Sequence, residues 1–147
     1  MQQVTSSSGG DVAGSSRSGI PVNTTQPADR KPVDSPRGAL IVPIHPPSPV
    51  ALRLSVIIPT FNESRNIVEL VRQLAEQLDP LLRDDYELVV VDDDSPDRTW
   101  EIAAAMIATY PTLTVVHRRG ERGLSTAVIR GWQVARGDVL AVIDGDL

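Results

Sequence analysis

The sequence predicts an α/β fold with a mostly parallel sheet and flanking helices, and three observations predict it. From residue 54 onward, β-preferring apolar runs alternate with stretches of helical periodicity, strand-helix-strand-helix-strand-helix-strand. Such alternation implies parallel strands joined by right-handed crossovers. The run Leu88–Val91 is continuously apolar rather than alternating, as in a strand covered on both faces. Two of these runs stop abruptly at carboxylates, Asp92-Asp93-Asp94 and Asp144-Gly145-Asp146. Both acidic stops fall where a strand leaves the carboxyl edge of a sheet, the edge at which open α/β sheets bind ligands.

Residues 1–50 read as a different material. They hold eight of the 12 prolines and none of the Phe, Trp or Tyr residues, so they have little with which to offset their ordering entropy. They are expected to form a disordered Pro/Ser/Gly-rich leader, with Gly38–Ile44 as its only apolar patch. Residues 51–147 are expected to form the folded unit, with order beginning near Arg53.

Leu54–Ile58 is the first strand, ended by Pro59, and Thr60–Ser64 is a polar loop. The spacing of Ile67, Leu70, Val71, Leu74 and Leu78 predicts a helix, with Asn62 or Ser64 as N-cap and Asp79-Pro80 as its stop. Asp84-Asp85 turns the chain into the central strand. Ser95 followed by Pro96 predicts the start of a second helix running to about Thr109, with Trp100, Ala103, Ala104 and Ile107 inward. Tyr110-Pro111 breaks it. Leu113–Val116 is a third strand and His117–Gly123 a basic, glycine-containing loop. Leu124–Ala135 is a third helix with Gly137 as its C′ stop, and Asp138–Ile143 a fourth strand that should also be buried. Trp100 and Trp132 are expected in the core, and His117 in a structural or exposed position.

Composition excludes several classes. There is no cysteine, hence no disulfide scaffold or thiolate metal site. A net charge of -5 argues against a nucleic-acid partner. No run is long and apolar enough to span a bilayer, and the first residues lack the charged and apolar regions of a signal peptide. No G-x-G-x-x-G follows the first strand, and Lys31 is the sole lysine, which disfavours dinucleotide-binding and phospho-receiver domains.

The chemistry concentrates at the strand ends. Asp144 and Asp146, separated by a small residue, can both reach one divalent ion, and hard cations such as Mg2+ and Mn2+ take oxygen ligands. An ordinary Asp-Gly turn is the competing reading. Adjacent acids at 92–94 repel and need donors, a cation or solvent; one of them is a candidate to accept hydrogen bonds from a base or ribose, and a solvated turn that caps the next helix is the competing reading. Arg118, Arg119 and Arg122 precede a helix start, where guanidinium groups and helix N–H donors suit phosphates. A solvated basic loop is the competing reading for each. Phe61 is a candidate to stack on a base, with a core aromatic at a loop start as the competing reading.

Together, SVIIPTFNESRNI, VVVDDDSPDRT, RRGERGLSTAVIRGW and GDVLAVIDGDL resemble glycosyltransferase family 2, inverting and of the GT-A type. Within that family they look most like the polyprenol- or dolichyl-phosphate mannosyltransferases. The resemblance covers residues 54–147 and implies the Rossmann-like, N-terminal nucleotide-binding half of a GT-A fold. It implies that Pro59, Phe61, Glu63, Val91, Asp93, Arg122, Asp144 and Gly145 border the nucleotide. Phe61 stands where the family often has Tyr. Asp144 and Asp146 match the family's Asp-x-Asp motif, which holds Mg2+ or Mn2+ against the diphosphate. The implied donor is a nucleotide sugar, GDP-mannose or UDP-glucose, and the implied acceptor a polyprenyl phosphate at the cytoplasmic face of a membrane. Acceptor-site and catalytic residues are expected beyond Leu147, which makes the chain a donor-site half-domain or a non-catalytic remnant of such an enzyme.

Overall fold

The computed structural model describes residues 30–42, 44 and 54–146. Among these residues, five parallel strands form one sheet: β1 (Val33–Asp34), β2 (Leu54–Thr60), β3 (Tyr86–Asp92), β4 (Leu113–His117) and β5 (Val139–Val142), in the order β1-β4-β3-β2-β5. Three helices connect them: α1 (Ile67–Leu82), α2 (Thr99–Ala105) and α3 (Leu124–Val134).

The strand pleat divides the apolar residues between two faces. Val56, Ile58, Leu88, Val90, Leu113 and Val115 meet α1 and α2 on one side. Ile57, Val89, Val91 and Val116 meet α3 on the other. β3 is buried along its whole length, as its unbroken apolar run predicts. Its one early polar residue, Glu87, is buried too, and takes hydrogen bonds from Ser55 Oγ (2.7 Å), Arg136 N (2.5 Å) and Arg136 Nε (2.9 Å). A buried carboxylate is tolerated only with such partners. These bonds also fix where the chain turns from α3 into β5.

Several boundaries differ from expectation. α1 continues through Pro80 to Leu82. Proline lacks one helical donor, but only two residues follow it, and the Arg83 N–H closes the helix on Asp79 O. Neither Asn62 nor Ser64 caps that helix; the N-cap is Asn66. α2 starts at Thr99, because Ser95 and Asp97 are engaged in the loop instead. Gly137 is not a C′ stop: Ala135 is already extended, and the Gly137 N–H donates to Ser55 Oγ. β5 is not a buried strand. Among the described residues it pairs only with β2, and Val139 and Val142 are exposed.

The expected leader is not structureless where it is described. Val33 and Asp34 pair with Val116 and His117 at the outer edge of β4. An open strand edge is a row of unpaired backbone groups, and an extended proline-rich segment can fill it. Beyond β1 the segment crosses α3, where Arg130 and Gln133 donate to the carbonyls of Gly38, Ala39 and Ile41. The other residues of the expected leader, 1–29, 43 and 45–50, lie outside the described residues.

Candidate functional site

Four segments converge at the carboxyl rim of the sheet: the β2–α1 loop, the β3–α2 loop, the β4–α3 loop and the end of β5. They enclose a cleft of about 350 Å3 lined by Pro59, Thr60, Phe61, Glu63, Asp93, Arg122, Gly123, Leu124, Ala127 and Asp144. That volume lies in the range of small-molecule sites.

The three consecutive acids of the β3 end have three separate fates. Asp92 is fully buried and accepts from Thr60 Oγ1 (2.9 Å), Ser95 N (2.9 Å) and Ser95 Oγ (2.6 Å). Asp94, in a left-handed conformation (φ 55°), turns to His117, with Nε2 and Oδ1 2.6 Å apart. The His117 ring in turn stacks on Trp100 at 4.2 Å, so His117 is a structural residue. Asp93 faces the cleft. Its Oδ1 accepts from Arg118 Nη1 (2.5 Å) and its Oδ2 from Gly123 N (2.7 Å). Burial pushes the Asp93 carboxyl above its ordinary pKa, against the opposing pull of Gly123 and Arg118.

The Ser-Pro-Asp-Arg-Thr turn proves to be a docking plate for the first loop. Successive amides of Asn62, Glu63 and Ser64 donate to Ser95 Oγ, Thr99 Oγ1 and Asp97 Oδ2, each at 3.0 Å. Asp97 also accepts from the Thr99 hydroxyl and amide. Burial raises its pKa, but these hydrogen bonds outweigh it and hold the carboxylate below its usual range. Two loops far apart in sequence thereby become one rigid wall, which presents Pro59, Phe61 and Glu63 to the cleft.

The basic loop splits in the same way. Arg118 is fully buried, holding Asp93, Thr126 Oγ1 (2.6 Å) and Gly123 O (3.3 Å), so it is not a solvent-facing phosphate ligand. Its backbone N–H continues the sheet ladder onto Asp92 O, which forces the side chain inward beside Asp93. Arg119 does not line the cleft. Arg122 does, with its guanidinium carbon 5.2 Å from the centre of the Phe61 ring, a cation–π pair across the cleft. Gly123 precedes α3 with φ 117°, a conformation side chains resist, so the helix begins at the cleft without a side-chain cap.

At the β5 end, Asp144 lines the cleft, and Asp144 and Asp146 are both exposed. Gly145 between them is buried: a Cβ there would stand 2.9 Å from Pro59 O and 3.1 Å from Thr60 Cγ2. The turn is thus pressed against β2 with its two acids outward. Among the described residues no three His, Cys, Asp or Glu side chains gather as a metal cage. A two-carboxylate, all-oxygen set fits a hard divalent ion that completes its sphere with ligand oxygens and water.

Six of the eight residues expected around a nucleotide therefore line the cleft: Pro59, Phe61, Glu63, Asp93, Arg122 and Asp144. Two do not. Val91 is fully buried under α3, because its position in the pleat points it into the core with Val89. Gly145 supports the rim from behind. Thr60 and Gly123, from the rim segment and the glycine-containing loop that the sequence marks, line the cleft as well, and so do Leu124 and Ala127, which it does not mark. Leu124 carried a signal as a large apolar residue directly after the basic loop; in the structure it opens α3 and is exposed.

A parallel sheet with helices on both faces and a ligand-sized cleft at its carboxyl rim defines a Rossmann-like α/β domain. Its acids and its arginine meet where such domains hold charged ligands. The chain belongs to glycosyl transferase family 2, whose family model matches residues 55–147. It is 52% identical over 96 residues to a dolichol-phosphate mannosyltransferase of Pyrococcus furiosus, a match covering 65% of this chain and 26% of the relative. Its fold matches a mannosyltransferase from Pyrobaculum calidifontis solved with GDP-Man and Mn2+, with TM-score 0.59 and 33% identity over 69% of this chain and 31% of the other. It also matches a glucosyl-3-phosphoglycerate synthase from Mycobacterium tuberculosis solved with Mn2+, UDP and phosphoglyceric acid, with TM-score 0.50 and 26% identity over 65% of this chain and 34% of the other. The chain thus spans between a quarter and about a third of the length of these relatives.

Proposed function

We propose that this chain supplies the donor half of an inverting glycosyltransferase that moves a hexose, mannose in the first instance, from a nucleoside diphosphate to a polyprenyl phosphate. The observation that carries this reading is the convergence of Phe61, Glu63, Asp93, Arg122 and Asp144 on one cleft from four separate segments. The mannosyltransferase relatives favour GDP-mannose; the UDP-bound neighbour keeps UDP-glucose as the second candidate.

In this reading Phe61 offers its half-exposed ring to the base. Asp93 is a fixed acceptor at the base or ribose, already aimed by Arg118 and Gly123. Arg122 and the uncapped start of α3 face the diphosphate. Asp144 and Asp146 hold Mg2+ or Mn2+, which when bound offsets charge on the departing nucleoside diphosphate. A phosphate oxygen of the acceptor attacks the anomeric carbon, and the bond from that carbon to the diphosphate breaks. Work at the cytoplasmic face of a membrane belongs to the same proposal; no helix among the described residues is long and apolar enough to cross one.

Calorimetric titration with GDP, GDP-mannose and UDP-glucose, with and without Mn2+, tests the reading. Metal-dependent binding of one nucleotide, lost in Asp146→Ala, is the expected result. A folded chain that binds none of them contradicts it and leaves a non-catalytic remnant.

A further inference from the structure

A chain of charges, buried at Arg118 and Arg130 and half-buried at Glu121, leads from the cleft to the N-terminal segment. Arg130 on α3 is 3% exposed. It donates to Glu121 through Nε (3.0 Å) and Nη2 (2.7 Å), to Gly38 O through Nη2 (2.9 Å) and to Gln133 Oε1 through Nη1 (2.9 Å). Gln133 donates onward to Ala39 O and Ile41 O. Glu121 also lies 3.4 Å from Arg118, the residue that grips Asp93.

The consequence falls on Arg122. Its predecessor Glu121 is tied to Arg130, and its successor Gly123 is tied through its N–H to Asp93. Both flanking residues of the one arginine in the cleft are therefore clamped, one from each side. We infer that Arg130 is a positioning residue of this cleft, and that the segment 30–42, whose Gly38 carbonyl it holds, is part of the structure that sets where Arg122 stands. The inference rests on the donor-site reading for its ligand, but not for its geometry.

The manner of docking supports this. Leu40, Ile41 and Val42 are exposed, so apolar burial does little to hold the segment in place after β1. Its hold on α3 runs through carbonyls given to Arg130 and Gln133. The arginine that seats the segment is the one that anchors Glu121, and such coupling is reciprocal. Hydrogen bonding from Arg130 is also the main reason the Glu121 carboxyl lies below its usual pKa.

Gly38→Val is the test. Gly38 has φ +103°, and the space a Cβ would take there is open, so a side chain strains only the backbone that presents the carbonyl. Phe61 is the only phenylalanine, so its ring resonances are unambiguous, and the ring-current shift it imposes on Arg122 protons reports the clamp without any ligand. Arg130→Lys, which keeps the charge and loses the fork, is the companion variant. Expected are a reduced Arg122 shift in both variants and GDP affinity in Mn2+ weakened about three- to tenfold, the scale of one lost hydrogen bond. Gly38→Val should meanwhile keep its Tm within about 3 °C. An unchanged shift and affinity in Gly38→Val overturns the inference, as does absence of the shift in the parent chain. Should the parent show the shift and its loss on substitution, yet bind no GDP, the positioning role stands and the donor reading falls.

Discussion

The strands β3 and β5 both lead into acids at the cleft, and the molecule uses those acids in opposite ways. β3 is a central strand buried on both faces, and among its acids Asp92 accepts three hydrogen bonds and Asp93 two. β5 is a short strand with exposed residues, and Asp144 and Asp146 stand in solvent. A carboxylate enclosed by donors, as Asp92 is, is committed to holding loops together, and Asp93 holds a loop while still facing the cleft, whereas one facing water keeps its lone pairs for a cation. Identical residue types at equivalent strand ends thus divide the labour between building the rim and supplying it with ligands.

The largest effect that would break this contrast is expected at Asp92. Asp92→Ala orphans the Thr60 hydroxyl and both the hydroxyl and amide of Ser95, a loss of about 2–3 kcal/mol in a urea unfolding series. A loss no greater than at an exposed position would mean that the acid does not hold the two loops.

The pH dependence gives a subtler reading of the same side. Burial holds the Asp93 pKa above its ordinary 3.8, so the folded chain binds this proton more tightly than the unfolded chain. Its contribution to stability is present below 3.8 and is lost as pH rises through the raised value. Asp97 and Glu121, whose pKa values are lowered, contribute with the opposite slope, losing stability as pH falls. Unfolding midpoints of the parent and Asp93→Asn across mild acid should therefore differ by a component that declines with rising pH. A difference that rises instead contradicts the assignment.

The smallest stability effect is expected at β5. Asp144→Ala and Asp146→Ala should each change unfolding free energy by less than about 0.5 kcal/mol, the scale of exposed positions. A cost near that of Asp92→Ala in either variant would erase the distinction between the two strand ends.

Much of this arrangement is legible in the sequence. The continuous apolar run at 88–91 marks the central strand, and acids after apolar runs mark the rim. What escapes does so for physical reasons. Arg118, Arg119 and Arg122 are alike in composition, and only the ladder bond from Arg118 N to Asp92 O decides which one turns inward. Val91 is expected beside the nucleotide only through the family resemblance, and the pleat sends its side chain under α3. β5 is as apolar as a buried strand, and nothing in its four residues reveals which flank remains uncovered. Val33 and Asp34 have no periodicity to announce a strand; their place is set by the edge of β4.

The order of strands also carries a consequence for how the rim comes into being. β2, β3 and β4 are neighbours that follow one another along the chain, whereas β5 returns to β2, pairing Val139 with Leu54 across most of the domain. Contacts between distant parts of a chain form late, and a growing polypeptide meets its amino-terminal partners first. The docking wall of the first two loops is therefore expected to assemble before the last strand zips onto the sheet. The two carboxylates that face solvent reach the rim only when β5 pairs with β2.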